Sequence, residues 1–223
     1  MSDMKKPYFF MKSFDFTKPF KQVVEWNAIA RNGKHDFSEE AIDFQYTLIE
    51  EEFKELMDDG VKKKNKKEVL DALCDLFVVG SYHVYQINKG KINSCEISCL
   101  LKTDYLDTLG YDVKHTKSSA LILEDVMVLL YQFGGDTEGA LQEVIRSNYT
   151  KFPTKEELEA HYGKLNEENL QEECKRIETS SEGRYTGVTY KKVKGHYVFL
   201  SDKGKILKPI TFESPNLTPY FGE

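Results

Sequence analysis

The chain contains 223 residues, of which 40% are hydrophobic and 30% are charged, a balance typical of a globular protein with one or two domains. Its formal charge is -6 and its pI is near 5.5, which argues against nucleic acid as a partner, because proteins that coat nucleic acid are usually basic. No segment approaches the roughly 20 apolar residues of a membrane-spanning helix, and residues 1–18 lack the apolar stretch of a signal peptide.

Three helices are predicted in the N-terminal part of the chain. Ser38 is suited to cap the second helix, because its hydroxyl can accept a backbone N–H and because Glu39 and Glu40 follow at the positive end of the helix dipole. Gly60 and Gly90 are predicted to end the second and third helices. The predicted helices span residues 19–31, 39–59 and 68–88, and a lysine-rich loop at 62–67 lies between the second and the third.

Further helices follow an ambiguous stretch at residues 91–117, which we interpret as an insertion. A strongly periodic apolar pattern predicts a helix over residues 119–133. Asp136 is suited to cap the next helix, and Thr154-x-x-Glu157 matches a capping box that opens one or two short charged helices.

The composition becomes β-branched and aromatic near the C-terminus, where three strands are predicted. We therefore expect a mainly α fold, an antiparallel helical bundle with a small C-terminal β-hairpin or three-strand appendage. The expected division is an all-α domain at 1–152 and a helical and hairpin extension at 153–223. The predicted strands are Thr186–Val193, His196–Leu200 and Lys205–Phe212.

The four cysteines form no C-x-x-C pair and the five histidines form no H-x-x-x-H pair, so we expect neither a disulfide framework nor a zinc site. Cys74 lies inside an apolar segment, and reduced thiols are typical of a cytoplasmic protein. The cysteines are Cys74, Cys95, Cys99 and Cys174.

Acidic residues recur at helical spacing on the second and third predicted helices. An E-E-x-x-E stretch alone is most often a solvated surface, but the third helix is apolar at almost every other position, and aspartate is a poor helix former. The short connection predicts antiparallel packing, which brings the two acidic sets together. These residues are Glu51, Glu52 and Glu55 on the second helix and Glu68, Asp71 and Asp75 on the third.

Like charges in one cleft require either protonation or a cation between them. Ligands that are all oxygen favour Mg²⁺ or Mn²⁺ over zinc, and Mg²⁺ completes its coordination shell with substrate phosphates. The acids therefore predict a metal–phosphate site between two facing helices. Glu68 and Asp75 could instead cap a helix or pair with lysines from elsewhere, and for Asp75 this alternative stays open.

Three motifs together resemble the MazG-like all-α nucleoside triphosphate pyrophosphohydrolases, whose relatives are dimeric dUTPases and phosphoribosyl-ATP pyrophosphohydrolases. Residues 48–56 and 68–75 resemble the family's E-E-x-x-E … E-x-x-D signature. Residues 143–151 are similar to the V-x-x-S-N-M-S-K segment of phage-type members. Residues 204–209, with 215–217 beyond them, resemble the G-K-v-x-K … P-D-L tail of the same proteins.

The resemblance implies cleavage of a (deoxy)nucleoside triphosphate between its α- and β-phosphates, giving a monophosphate and pyrophosphate. It implies Mg²⁺ ligation by Glu52, Glu55, Glu68 and Asp71, and the spacing adds Asp75 as a further candidate ligand. Glu51 would position or activate the attacking water, and Asn148 and Lys151 would contact the nucleotide. It also implies a homodimer or homotetramer whose four-helix core forms across subunits, acting in the host cytoplasm if the gene belongs to a phage.

Two other functions remain open from the sequence. One is a non-catalytic acidic helical binding or scaffold protein, whose acids serve charge balance or assembly. The other is an acidic nucleic-acid mimic, which the net charge permits and the lysine loop fits badly. The base of the nucleotide is not encoded in any motif of this chain.

Overall fold

The computed structural model of the chain describes residues 15–92 and 105–221. Cys95 and Cys99, in the ambiguous stretch at 91–117, therefore lie outside the described residues. The described part is mainly helical, as predicted, with a small antiparallel sheet near the C-terminus.

Six helices form the bundle that the sequence predicted as its first domain. Two of them continue into a π-helical turn, after α2 at Leu56–Val61 and after α4 at Asp112–Thr116. The helices are α1 (Thr17–Ala30), α2 (Glu39–Glu55), α3 (Lys66–Ile87), α4 (Tyr105–Tyr111), α5 (Ser119–Phe133) and α6 (Thr137–Tyr149).

Side-chain caps start several helices where the sequence predicted them. The Ser38 hydroxyl accepts the Ala41 amide at 3.2 Å, and Asp136 Oδ1 accepts the Gly139 amide at 2.9 Å. These bonds satisfy backbone donors that have no partner inside the helix.

Gly60 has a different role from the helix-ending one predicted. α2 ends at Glu55, and Gly60 lies in the π-helical turn with an ordinary negative φ. A Cβ atom at Gly60 would lie 2.8 Å from Cγ2 of Val69 on α3. Glycine is needed here because α3 passes close to the turn.

The core of the bundle centres on α3, which packs against α1, α2, α5 and α6. Leu70, Leu76, Phe77 and Tyr82 on α3 are fully buried, and burial of each large apolar side chain contributes about 1.5–3 kcal/mol. α2 and α3 run antiparallel. Gln45 near the start of α2 hydrogen-bonds to the Val79 carbonyl late in α3, whereas Gly60 meets the beginning of α3.

The C-terminal part adds two helices and a hairpin. A capping box opens α7, as predicted, with reciprocal bonds between Thr154 and Glu157. The turn residues Lys194 and Gly195 both have positive φ, which suits a two-residue hairpin. The elements are α7 (Lys155–Tyr162), α8 (Glu167–Ser180), β1 (Thr189–Val193), β2 (His196–Leu200) and a 3₁₀ turn at Thr218–Tyr220.

The third predicted strand, Lys205–Phe212, is wrong. Only an isolated bridge joins Leu200 to Ile206, and by Pro209 the segment has left the hairpin and entered a turn. Proline has no N–H to donate to a ladder, so pairing beyond it is interrupted. The sheet of the described chain is therefore the β1–β2 hairpin.

The C-terminal part has a small core of its own and is also packed onto the bundle. Leu158, Ile177, Phe199 and Leu207 belong to this second core. A third cluster joins the two parts, where Trp26 of α1 stacks on Phe152 with ring centroids 5.4 Å apart. Among the described residues, no helix combines the length and apolarity needed to cross a bilayer.

Candidate active site

A pocket of about 540 Å³ lies between the helical bundle and the C-terminal segment. Side chains of α1, α2 and α3 line one side, and the end of α6 together with residues 177–208 lines the other. The pocket therefore exists only because the C-terminal extension folds back over α2 and α3.

Acidic side chains from two helices converge on this pocket. Glu52 and Glu55 of α2 and Asp75 of α3 line it. Burial first, and then the charges of Asp75 and Glu55, raise the pKa of Glu52 to about 8. Burial raises the pKa of Asp75 as well. These shifts express the cost of holding like charges together out of water.

Asp71 lies one helical turn before Asp75 and shares its environment. Burial, followed by the charges of Asp75 and Glu68, raises the pKa of Asp71 to about 7. Its buried Oδ1 has no hydrogen-bond partner within the described chain, and an orphaned buried acceptor costs about 1–3 kcal/mol. A hard cation that prefers oxygen ligands would satisfy this atom, so the donor set fits Mg²⁺.

The side chains do not form a ready-made coordination shell. Within residues 15–92 and 105–221, no group of three or more His, Cys, Asp or Glu side chains is arranged to hold a metal ion. The predicted metal site thus stays a prediction. It is supported by the unpartnered Asp71 Oδ1 and by the mutual repulsion of the acids.

Two other predicted acids lie at the edge of this arrangement. Glu51 is half exposed, and its carboxylate accepts a hydrogen bond from Lys205 Nζ at 2.6 Å. Glu68 lies in the first turn of α3, where its backbone N–H is capped by Asn65. Neither residue is among the described residues that line the pocket. The charge of Asp75 acts on both Glu52 and Asp71, but Asp71, like Glu51 and Glu68, is not among the residues that line the pocket.

Asn148 and Lys151, predicted to contact the nucleotide, both line the pocket. The Asn148 amide donates to the Val144 carbonyl at 3.0 Å, and its Oδ1 accepts from Lys151 Nζ at 2.5 Å. Asn148 thereby fixes the position of the lysine. Burial lowers the pKa of Lys151 to about 8, against the opposing effect of the Asp75 carboxylate.

Further basic residues reach the pocket from the C-terminal segment, two of them within the predicted third strand, Lys205–Phe212. Lys205, Lys208 and Arg184 line it, and the charges of Lys205 and Lys208 favour ionisation of Asp75. The tail motif around Gly204 was the one sequence signal for the two lysines, and no motif marked Arg184. Lysines from elsewhere in the chain thus act on the charge of Asp75, which is one part of the alternative left open for this residue. No ion pair within 4 Å joins it to a lysine in the described chain.

Several other polar side chains of the bundle are engaged in bonds within the fold. Lys62 and Lys63 of the lysine loop pair with Asp58 and Asp59 on the surface and are not among the pocket residues. The Tyr46 hydroxyl donates to the Val113 carbonyl in the core. Trp26 reaches the pocket, but its Nε1 donates to the Asn148 carbonyl at 2.8 Å.

Part of the pocket lining is apolar. Phe44, Leu48, Val78 and Val79 provide this surface, and the polar side chain of Gln45 lines the pocket with them. An apolar surface with a few polar groups suits a planar organic ring, whereas the charged side chains suit anionic groups accompanied by a cation.

The pocket as a whole is lined by five basic and four acidic side chains, and both signs occur on both parts of the chain, since Glu182 lies close to Arg184 in sequence and Arg31 follows α1. The acids of α2 and α3 face the lysines of the C-terminal segment. Such a site can hold a ligand with several negative charges that also brings a cation. The basic residues are Arg31, Lys151, Arg184, Lys205 and Lys208; the acidic residues are Glu52, Glu55, Asp75 and Glu182.

Searches against protein-family models, characterised proteins and solved structures find no match for this chain.

Proposed function

We propose that this chain is a Mg²⁺-dependent nucleotide pyrophosphohydrolase of the MazG-like type. It cleaves (deoxy)nucleoside triphosphates between the α- and β-phosphates and releases a monophosphate and pyrophosphate. One observation carries the proposal: Glu52 of α2 and Asp75 of α3, both acids with raised pKa values, line one pocket together with Lys151, Lys205 and Lys208.

The residues that would hold Mg²⁺ are the acids of α2 and α3 whose negative charges raise one another's pKa. Asp75 acts on both Glu52 and Asp71, and Glu52, Glu55 and Asp75 line the pocket. Glu68 belongs to the set by the family resemblance, and its charge reaches Asp71. When bound, the metal ion would polarise the phosphoryl group and lower the pKa of a coordinated water.

The chain's own groups then have separate tasks. A carboxylate that does not bind the metal can accept the proton of the attacking water, and Glu51 is the candidate from the motif. Its present partner is Lys205, which must shift before Glu51 can act. Lys151, held by Asn148, interacts electrostatically with Asp75 and can bind a phosphate oxygen.

Assembly is part of the same proposal. The family resemblance implies a homodimer or homotetramer in which a second copy completes the four-helix core around α2 and α3. This part is supported by the motifs alone, and light scattering of the purified protein tests it directly.

The decisive experiment is a panel of all ribo- and deoxyribonucleoside triphosphates with Mg²⁺, in which pyrophosphate release is measured. Glu52→Gln and Asp71→Asn should each reduce kcat on the order of 100-fold or more, because each removes a ligand of the charged site. Chelation by EDTA should abolish turnover of the unaltered protein. Glu50→Gln is the matched control, since Glu50 is exposed on the same helix and should retain full activity.

Absence of turnover on every nucleotide would contradict the proposal. Binding of nucleotides without turnover would favour the non-catalytic binding protein. Circular dichroism of each variant separates a lost chemical group from a lost fold.

A further inference from the structure

The basic wall of the pocket is built from a segment far from the acids in sequence. The turn at Ser201–Gly204 is closed by the Gly204 amide, which donates to the Ser201 carbonyl at 2.9 Å, and by the Ser201 amide, which donates to the Lys205 carbonyl at 3.0 Å. Gly204 has a φ of +81°, a conformation that favours glycine. The backbone of Lys205 is therefore held in place, while its side chain reaches across the pocket mouth.

Lys208 is presented in the same way, one short step along the chain. Leu207 beside it is buried in the C-terminal core, and its amide donates to the Phe199 carbonyl at 3.0 Å. The Lys208 carbonyl accepts from Arg176 at 3.3 Å. Anchored backbone on both sides places the two lysine side chains at the pocket. The charge of Lys205 is engaged by Glu51, whereas no carboxylate of the described chain pairs with Lys208.

These lysines are near the acids but largely unpaired with them. Lys208 Nζ lies 4.8 Å from the centroid of the Phe212 ring, and Lys151 Nζ lies 5.7 Å from the same ring. Neither ammonium group forms an ion pair with a carboxylate in the described part of the chain. Lys205 is the exception, because it is bound to Glu51.

Two or three ammonium groups around one cavity repel one another unless an anion lies between them. Glu51 pairs with Lys205, but no carboxylate of the described chain pairs with Lys208 or Lys151, so the arrangement suits an anion with several oxygens, supplied from outside. Phosphate groups in a chain match the spread of the lysines better than a single small anion does.

We infer that Lys205 and Lys208, with Arg184 beside them, bind the phosphate chain of the substrate. The C-terminal extension is on this view the phosphate-binding wall of the site, and the Glu51–Lys205 ion pair holds that wall against α2 until the ligand arrives. This inference rests on the proposed function for the identity of the substrate, but the binding itself is measurable without turnover.

The test is titration calorimetry with inorganic tripolyphosphate in the presence of MgCl₂. Lys205→Met and Lys208→Met should each weaken binding about tenfold or more, because a charge-assisted contact is lost. Lys203→Met is the matched control. Lys203 lies on the same turn, is exposed and is not among the pocket residues, so its substitution should change affinity less than about twofold.

Lys205→Arg, which keeps the charge, should retain affinity within about threefold of the unaltered protein, and thermal melts verify that each variant is folded. Equal loss in the Lys203, Lys205 and Lys208 variants would overturn the inference, and so would the absence of tripolyphosphate binding by the unaltered protein. If the Lys205 and Lys208 variants hydrolysed nucleotides and bound tripolyphosphate as tightly as the unaltered protein, the phosphate-binding role of these lysines would be overturned. The proposed function would then stand. Selective loss of binding in a protein without turnover would support the wall and contradict the hydrolase.

Discussion

The two walls of the pocket are built in different ways. The acidic wall stands on two consecutive long helices, with Glu52 and Asp75 placed by helical spacing on faces that meet. The basic wall comes from the end of α6 and from turns of the C-terminal segment, with Lys205 held by a closed turn. Regular helices place side chains by their period, whereas turns place them by individual hydrogen bonds.

The two walls also rest on different cores. α3 is anchored in the large core of the bundle, and the lysine segment is anchored through Leu207 in the smaller C-terminal core. The acidic wall should therefore be the more stable part, and the basic wall the part that adjusts when a ligand enters.

The largest expected effect comes from a core substitution on α3, the helix that carries Asp75. Phe77→Ala removes a fully buried ring from α3 and should lower the free energy of unfolding by about 3–5 kcal/mol, because a cavity replaces the ring. Denaturant unfolding measures this value. Ile87→Ala on the same helix is the control, since Ile87 is 47% exposed and should cost no more than about 0.5 kcal/mol. A cost below about 1 kcal/mol for Phe77→Ala would show that α3 is not the centre of the core.

An intermediate effect should appear in the pH dependence of stability, measured in EDTA. Asp71 and Glu52 have folded-state pKa values raised to about 7 and about 8, so the folded chain binds more protons than the unfolded chain above the ordinary carboxyl range. Stability should fall as the pH rises from about 5 to about 8, with a limiting slope on the order of 1.4 kcal/mol per pH unit for each proton.

Replacing both acids, in Glu52→Gln combined with Asp71→Asn, should flatten this pH profile. Lys151, on the basic wall, changes the stability in the opposite direction at higher pH. Burial lowers the pKa of Lys151 to about 8, so its contribution makes stability rise with pH above that value. An unaltered slope in the double variant would contradict the shared charge of the acids.

The smallest expected effect concerns the link between the two walls. Glu51→Gln removes the carboxylate that accepts from Lys205, and Glu51 is half exposed. The free energy of unfolding should fall by at most about 1 kcal/mol, and the difference should shrink at high salt, because exposed ion pairs contribute little and are screened. A salt-independent loss of several kcal/mol would mean that the extension depends on this contact for its fold.

Local signals predicted much of the helical frame. Ser38, Asp136 and the pair Thr154 and Glu157 marked helix starts that the structure confirms, because a cap involves residues only two or three positions apart. The error at Lys205–Phe212 has the opposite origin. Its β-branched and aromatic residues fit a strand, but its backbone bonds go to Phe199, Ser201, and side chains of the C-terminal core.

The sequence by itself determined that acids recur at helical spacing on two helices joined by a short connection, since a period of 3.6 residues and an apolar helix around Asp71 and Asp75 are visible in the order of residues. Only the tertiary structure decided what faces those acids. Lys205 lies 154 positions from Glu51, and no local pattern encodes a contact over that distance. Such contacts follow from how the two cores pack together, which depends on the shape and volume of many side chains at once.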